Sequence, residues 1–218
     1  MNAMTLPPHV RQINTSYRTL FSESGLRGPV CHVGSLLNGK ETTQDTVDRW
    51  RKLIGDLAPG GFVGVDLFPG LNVDVTADLC SPHFTKDHSD LVGAFGVVFA
   101  SALLEHVADP FAAARNISAM IRPGGHLFCV CPWVWGYHGY PDDYWRINHA
   151  GMAKLFPDLV WVRQWYSGTN KNVGIEVEPK HERKLLRHEV SEGAGAVLSG
   201  QGLPYLNCGA IGQKPQND

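Results

Sequence analysis

The segment from Pro29 to Asp66 constrains the fold of this 218-residue chain more than any other part of the sequence. It opens with an apolar run, Val30 to Val33, that ends at Gly34, and this combination predicts a strand followed by a tight turn. A stretch with the spacing of a one-faced helix follows, with apolar residues at Val47, Trp50, Leu53, Ile54 and Leu57. A second apolar run then ends at Asp66. This order predicts a βαβ unit whose ligand site lies at the carboxyl ends of its strands.

A carboxylate at the end of the second strand suits the ribose of a nucleoside, because it can accept hydrogen bonds from both ribose hydroxyls. Gly34 and Gly39 belong to a loop that lets backbone N–H groups approach the rest of such a ligand. The alternative is that the glycines only make turns and that Asp66 is a solvated strand end. The glycines do not follow G-x-G-x-x-G, and Asp66 lies further from Gly34 than the ~20 residues of a dinucleotide site, so an NAD-dependent oxidoreductase is disfavoured.

The composition favours one α/β domain, since 43% of the residues are hydrophobic and the formal net charge is −2. The near-neutral charge argues against nucleic-acid binding. No apolar run reaches the roughly 18 residues of a membrane span, and the N-terminus lacks the apolar stretch of a signal peptide, so we expect a cytoplasmic protein without a membrane partner. The five cysteines are scattered without a C-x-x-C pair, which favours reduced core thiols over a metal site or disulfides.

Further elements are predicted on both sides of the βαβ unit. Residues 1–28 carry apolar residues at the spacing of an amphipathic helix, which either covers the ligand edge or packs beside the sheet: Val10, Ile13, Tyr17, Leu20 and Phe21. The run FGVVFA, 95–100, predicts a central strand, and Asp109-Pro110 predicts the start of a helix that ends at 122–125. Val73 and Val75 alternate with Asp74 and Thr76, which predicts a short third strand ending near Asp78, and HLFCVCP predicts a fifth strand. Strands alternating with helices favour a doubly wound, Rossmann-like α/β sheet.

Four segments in this order and spacing carry a resemblance to a known family: VGSLLNGK, GVDLFPGLNVDV, FGVVFASALLEHVADP and IRPGGHLFCVCP. Over residues 28–160 the chain resembles the class I S-adenosylmethionine-dependent methyltransferases, especially their small-molecule subgroup. The resemblance implies a seven-stranded sheet in the order 3-2-1-4-5-7-6 with strand 7 antiparallel, in which LVWVRQWYSG and PYLNCGAIGQKP are strands six and seven. It also implies one domain over 1–218, with an N-terminal helical segment (1–28), a cofactor-binding core (29–160) and C-terminal strands with an inserted helix and loop (161–218).

The cofactor that the resemblance implies is S-adenosylmethionine, which becomes S-adenosylhomocysteine. The implied contacts are Gly34, Ser35, Asn38 and Gly39 for its methionine part, Asp66 and Leu67 for its ribose, Asp78 and Leu79 for its adenine, and Ala100 and Ser101 for its sulfonium end. His32, however, stands where an acid commonly attracts the cofactor's ammonium group. A neutral His32 can accept a hydrogen bond there, or it can be a satisfied buried histidine. Leu36 replaces a loop glycine of the family, and Gly96 stands where an aspartate is common.

Methyl transfer from a sulfonium is an in-line displacement, so the protein mainly has to align the acceptor with the methyl group. A base helps if the acceptor is a hydroxyl. The segment WGYHGYPDDYWRINH, beyond the fifth strand, and the LEH motif supply the candidates: His138 as the first choice of base, His106 as the second, and Tyr140, Asp142, Tyr144 and Arg146 for the acceptor. The alternative is that this Tyr/Trp-rich segment only caps the sheet. No metal site is expected.

The leading hypothesis is a methyltransferase that acts on a small organic acceptor at O, N or C, with a homodimer left open. One alternative is a cofactor-binding relative without transferase activity, favoured by His32 and the altered loop. Another is an enzyme that uses S-adenosylmethionine for a non-methylating reaction such as cyclisation. The charged segment EVEPKHERKLLRHEV is expected to form a solvated helix, and SEGAGAVLSGQG a loop.

Overall fold

The computed structural model describes residues 10–37, 42–139, 141–168, 172–178 and 205–216. One sheet of nine strands runs through these residues. The strands are β1 (Val10–Ile13), β2 (Val30–Val33), β3 (Phe62–Asp66), β4 (Val75–Thr76), β5 (Phe95–Ser101), β6 (Ile121–Val134), β7 (Val160–Ser167), β8 (Gly174–Val177) and β9 (Leu206–Gln213).

The helices within the described residues are α1 (Tyr17–Glu23), α2 (Gln44–Leu57), α3 (Phe84–Asp87), α4 (Pro110–Met120) and α5 (His149–Leu155), together with a 3-10 turn at Ser89–Leu91. Polar side chains define where the two longest helices begin. Thr43 accepts a hydrogen bond from the N–H of Thr46 at the start of α2, and Asp109 accepts from the first turn of α4. The predicted helices at these two places are therefore confirmed.

The strand order is β1-β8-β7-β9-β6-β5-β2-β3-β4. The seven predicted strands keep their predicted order within it, and β9 is antiparallel to both of its neighbours, β6 and β7. The predicted number of seven strands is wrong, because β8 pairs with β7 and β1 pairs with β8, both antiparallel. The doubly wound, Rossmann-like character of the sheet is confirmed, and two strands extend one edge of it.

The prediction of one helix over the apolar positions of residues 1–28 is wrong in its first half. Val10 and Ile13 are buried at the two ends of the edge strand β1, between the exposed Arg11 and Gln12, so a spacing of three arises here from a strand. The helix begins only at Tyr17, after Ser16 caps it. Phe21 on α1 packs against Phe128, with ring centroids 5.5 Å apart, so this helix covers a face of the sheet.

The prediction of a charged helix starting at Glu176 is also contradicted at its beginning, since Glu176 and Val177 lie in β8. The rest of that segment beyond residue 178 and the predicted glycine-rich loop lie outside the described residues. Strand β6 begins earlier than predicted, at Ile121, because Ile121 pairs with Phe95 at the start of β5.

Alternate residues of β5 fill two apolar clusters on opposite faces of the sheet. Val98 and Ala100 belong to the larger cluster, and Val97 and Phe99 belong to the other. Gly96 has no room for a side chain, because a Cβ would lie 2.1 Å from the carbonyl oxygen of Arg27. This close approach requires glycine at position 96.

All five cysteines lie in the described ranges and form no disulfide there, and four of them are buried: Cys31, Cys129, Cys131 and Cys208. None of the helices in the described ranges is long and apolar enough to cross a membrane.

Candidate active site

The chain turns sharply at Gly34, directly after β2. Gly34 has a φ of +69°, a left-handed conformation that favours glycine. A Cβ there would also lie 2.9 Å from Leu103 Cδ1. The N–H groups of Gly34 and Ser35 donate to the carbonyl oxygen of Val65 at 2.9 and 3.2 Å. These bonds fasten the turn to the end of β3, where Asp66 lies.

The carboxylate of Asp66 braces this turn. Its Oδ2 accepts a hydrogen bond from the N–H of Leu36 at 2.9 Å, and its Oδ1 accepts from the N–H of Phe68 at 3.1 Å. A carboxylate oxygen offers two lone pairs, so each oxygen retains acceptor capacity for a further donor such as a ribose hydroxyl. Asp78, beyond β4, is held in a similar way, since its Oδ1 accepts from the N–H of Cys80 at 2.8 Å.

Both acids line a cavity of about 480 Å³ at the carboxyl ends of β2, β3 and β5, which we name the Asp66 cavity. Its lining includes Gly34, Asp66, Leu67, Asp78, Leu79 and His106. Its lining therefore combines carboxylates with apolar side chains, a combination that suits a nucleoside with a flat base.

A second cavity of about 780 Å³, which we name the aromatic cavity, lies between α1 and the sheet. Four aromatic rings line it: Tyr17, Phe128, Trp135 and Trp165. Polar side chains reach it as well, among them Arg18 and Asn207. A volume within ~300–1,000 Å³ and an apolar lining with few polar groups are typical of sites for small organic ligands.

The two cavities meet at Ala102, which lines both of them. Ala102 follows β5 directly and has a φ of +52°, a conformation that is uncommon for a residue with a side chain. Its N–H donates to the carbonyl oxygen of Val130 at 2.9 Å. Strained backbone held in this way clusters at functional sites.

Three polar side chains lie beside this junction: Glu105, His106 and His138, which we name the Glu105 cluster. Glu105 Oε1 is 3.7 Å from His106 Nε2 and 3.9 Å from His138 Nε2. The two imidazole rings meet edge to face, with centroids 5.0 Å apart. Glu105 and His138 line the aromatic cavity, and His106 lines the Asp66 cavity.

The segment after β6 is bound to the turn after β5, and this contact brings His138 to Glu105. The N–H groups of Tyr144 and Trp145 donate to the carbonyl oxygen of Glu105 at 2.7 and 3.3 Å. Asp143 then accepts the backbone N–H of His138 at 2.8 Å and forms an ion pair with Arg146. The Arg146 guanidinium holds the pKa of Asp143 well below its usual range, so Asp143 is ionised.

Glu105 is buried without a strong partner. Its side chain has no exposed surface, and neither carboxylate oxygen accepts a hydrogen bond of good geometry from another described residue. Burial raises the pKa of Glu105 to about 7, and it outweighs the opposing effects of its own backbone N–H and of Arg146. A carboxylate in this state is typical of functional sites.

A family model described as a methyltransferase domain matches residues 62–129. This region runs from β3 to the middle of β6 and includes the junction and two members of the Glu105 cluster. The match covers about a third of the chain, and over this part the chain is similar to methyltransferase domains.

Two further similarities are to individual proteins. A ubiquinone biosynthesis O-methyltransferase from Vibrio parahaemolyticus serotype O3:K6 (strain RIMD 2210633) is 41% identical over 44 residues, which cover 20% of this chain and 19% of that protein. The [4+2]-cyclase SpnF has a similar fold, with a TM-score of 0.54 and 15% identity over 92% of this chain and 80% of that chain.

A methyltransferase from Burkholderia thailandensis has a similar fold as well. This 1,6-didemethyltoxoflavin-N1-methyltransferase, solved with its substrate and S-adenosylhomocysteine bound, has a TM-score of 0.50 and 13% identity, and the match covers 91% of this chain and 76% of that chain. At this identity the likeness concerns the fold.

The structure brings together five of the residues predicted for the cofactor, since Gly34, Asp66, Leu67, Asp78 and Leu79 all line the Asp66 cavity. Ser101 lines the aromatic cavity. Ala100 and Ser35 are buried and are not among the described residues that line either cavity. Asn38 and Gly39 lie outside the described residues.

His32 lies in an aromatic pocket and not in the lining of either cavity among the described residues. Its ring is 5.0 Å from that of Phe99 and 5.7 Å from that of Trp50, centroid to centroid. Burial lowers the pKa of His32 to about 4, so the imidazole is neutral. His32 is therefore a buried histidine, the second of the two possibilities predicted from the sequence. Its Nδ1 receives no hydrogen bond from the described residues.

Both predicted bases lie at the junction, His138 on the aromatic cavity and His106 on the Asp66 cavity. Of the residues predicted for the acceptor, Tyr144 lines the Asp66 cavity. The carbonyl oxygen of Asp142 contacts His106 Nδ1, and Arg146 forms an ion pair with Asp143. Asp142 and Arg146 are not among the described residues that line either cavity. Tyr140 lies outside the described residues.

Sequence reasoning missed Glu105, although the LEH motif contains it next to His106. An acid just beyond a central strand was the available signal, the same signal that singled out Asp66. Asp143 is not distinguished by the sequence pattern, because its contact with His138 exists only in the folded chain.

Proposed function

We propose that this chain transfers the methyl group of S-adenosylmethionine to a small organic acceptor held in the aromatic cavity. The observation that carries the proposal is the meeting of the two cavities at Ala102, beside the Glu105 cluster. A methyl donor and an acceptor must approach each other at such a junction, while the rest of each molecule is held on its own side.

The Asp66 cavity suits the cofactor. We infer that Asp66 accepts hydrogen bonds from the ribose hydroxyls and that Asp78 accepts one from the adenine amino group, because both carboxylates line the cavity and are held by backbone N–H groups. The turn at Gly34 brings backbone close to the methionine part. Bound there, S-adenosylmethionine supplies an electrophilic methyl group with a neutral thioether as its leaving group.

The aromatic cavity suits a flat acceptor with polar substituents. Tyr17 and Trp135 are partly exposed and offer ring surface for stacking, whereas Phe128 and Trp165 are buried behind them. Arg18 and Asn207 can donate hydrogen bonds to oxygen atoms of the acceptor. We therefore propose a small ring-containing molecule that is methylated at O, N or C.

We propose that the Glu105 cluster activates the acceptor, with His138 and His106 as catalytic residues. His138 has 38% of its side chain exposed, toward the aromatic cavity, whereas Glu105 has none exposed. The acceptor would meet His138 first and Glu105 beneath it.

The test uses S-adenosylmethionine with a deuterated methyl group. The full chain is incubated with it and a small-molecule extract, and mass spectrometry searches for deuterated products and S-adenosylhomocysteine. Labelled product that is absent with Asp66→Ala supports methyl transfer. Tight binding of S-adenosylhomocysteine without any labelled product indicates a cofactor-binding relative, and an unlabelled new product indicates a non-methylating reaction; either result overturns the proposal.

A further inference from the structure

We propose that Glu105, His106 and His138 bind one divalent transition-metal cation, with Zn²⁺ as the best match, and that this cation holds the nucleophilic oxygen of the acceptor. The metal site is inferred from the geometry of the cluster alone. The role toward the acceptor rests on the proposed function and deepens it.

The distances in the cluster are close to those of a metal site. One potential ligand atom from each residue lies within 4.8 Å of the other two. Zn²⁺ bonds of about 2.0–2.1 Å in a tetrahedron place neighbouring ligand atoms roughly 3.3 Å apart. Glu105 Oε1 is 3.7 Å from His106 Nε2 and 3.9 Å from His138 Nε2, and no ligand-atom separation in the cluster exceeds 4.8 Å, so a modest contraction of the cluster brings the three atoms to Zn²⁺ distances.

Both imidazoles place Nε2 within 4 Å of the carboxylate and Nδ1 beside oxygen acceptors. His106 Nδ1 is 2.5 Å from the carbonyl oxygen of Asp142, which can only accept, so Nδ1 carries a proton and the lone pair of the neutral imidazole is on Nε2. His138 Nδ1 is 3.2 Å from Asp143 Oδ2 and 3.3 Å from the carbonyl oxygen of Gly136, which fixes the same tautomer. Metal-binding histidines are oriented in this way, by an oxygen acceptor on the other ring nitrogen.

The cluster thus gathers three electron-pair donors around one point. Glu105 is wholly buried, and neither of its oxygens receives a hydrogen bond of good geometry from the described residues. A proton on Glu105 would not resolve this arrangement, because both histidine Nε2 atoms lie beyond the ~3.2 Å limit of a good hydrogen bond. A cation satisfies all three donors at once.

The ligand types select the metal. Two imidazole nitrogens and one carboxylate oxygen are a common set for catalytic Zn²⁺, which keeps a fourth position open. Ca²⁺ and Mg²⁺ prefer oxygen ligands and are disfavoured. The charge of Arg146 does not oppose a cation strongly, because Asp143 pairs with it.

The open position faces the acceptor. Glu105 and His138 both line the aromatic cavity, so a ligand in that cavity can reach a cation that they hold. An acceptor hydroxyl that binds the cation loses its proton to water more readily, since a bound Zn²⁺ lowers the pKa of its ligand oxygen by several units. The O–H bond breaks, and the oxygen keeps the electron pair. This chemistry favours an oxygen acceptor, such as a phenol, over N or C.

The test measures Zn²⁺ and Co²⁺ binding to the full, untagged chain after treatment with a chelator. Calorimetry with Zn²⁺ is expected to show one tight site that Glu105→Gln and His138→Ala each weaken by roughly 100-fold or more. Asp143→Asn, which acts through His138, is expected to weaken it by about 10–100-fold. Co²⁺ is expected to give a visible spectrum of a low-coordinate site that the same variants abolish. His83→Ala is the matched control, because His83 is exposed and lies outside both cavities among the described residues.

Equal Zn²⁺ affinity and stoichiometry in the wild type, Glu105→Gln and His138→Ala would overturn the proposal. His138→Ala guards against misfolding, since His138 is partly exposed whereas Glu105 is buried. Binding of S-adenosylhomocysteine to the metal-free protein is measured in parallel. If the cofactor product binds and Zn²⁺ does not, the metal site fails, while the cofactor site on which the proposed function depends is retained. If Zn²⁺ binds and the cofactor product does not, the metal site is retained and the proposed function fails.

Discussion

Replacing Asp66 with alanine is expected to weaken binding of S-adenosylhomocysteine by about 10- to 150-fold. Asp66 lines the Asp66 cavity, and its two oxygens also hold the N–H groups of Leu36 and Phe68. Loss of one charged hydrogen bond to a ribose hydroxyl costs about 1.5–3 kcal/mol, and each 1.4 kcal/mol corresponds to a factor of ten in affinity. The release of Leu36 adds to the loss, because the turn then no longer holds its shape.

The assay is calorimetry at constant salt, with Asp74→Ala as the matched control. Asp74 also accepts a backbone N–H, that of Gly64 at 2.8 Å, and it forms an ion pair with Arg51. It is not among the residues that line the Asp66 cavity in the described ranges. Asp74→Ala should therefore lower stability while the affinity changes by less than about threefold. Unchanged affinity in Asp66→Ala, or an equal loss in both variants, would refute the assignment of Asp66 to the ribose.

Three further predictions concern activity and stability. His138→Ala should slow turnover and leave the affinity for S-adenosylhomocysteine unchanged; a loss of affinity instead would place His138 in the cofactor site. Gly96→Ala should lower the free energy of unfolding, measured in urea, by about 1–3 kcal/mol, since a Cβ would lie 2.1 Å from the carbonyl oxygen of Arg27. Gly55→Ala is the control: nothing lies within 4 Å of the new Cβ in α2, so this variant should raise the free energy of unfolding by up to about 1 kcal/mol. Burial raises the pKa of Glu105 from 4.5 to about 7, so the folded state binds this proton more tightly than the unfolded chain does. The stability that protonated Glu105 contributes is therefore fully present below pH ~4.5 and is lost as the pH rises to ~7. In metal-free protein Glu105→Gln should therefore be more stable than the wild type by up to about 3 kcal/mol at pH 8 but not at pH 4; an equal difference at both pH values would contradict the burial of an unpaired carboxylate.

Local signals predicted the elements that begin and end within a few residues. Asp109 followed by Pro110 predicted α4, because a capping carboxylate and a fixed φ act on the first helical turn only. The edge strand β1 could not be predicted from local sequence, because it forms only by pairing with β8, in which Val177 lies opposite Val10. The spacing of Val10 and Ile13 fits a helix as well as a short strand buried at both ends.

The candidate site was predictable where it follows the ends of single strands. Asp66 and Asp78 were found because each closes a strand at the ligand edge. Glu105 was missed because its importance depends on His138, which reaches it only when Tyr144 and Trp145 bind the turn after β5. His32 was placed near a ligand by the family's pattern, whereas rings from distant elements, Trp50 and Phe99, enclose it.

The crystal structure of the chain with S-adenosylhomocysteine and Zn²⁺ tests the central claim most directly. We expect the ribose on Asp66, the thioether sulfur directed at Ala102, and one cation held by Glu105, His106 and His138 beside that junction. Adenosine density anywhere outside the Asp66 cavity, or a thioether turned away from the aromatic cavity, would contradict the claim.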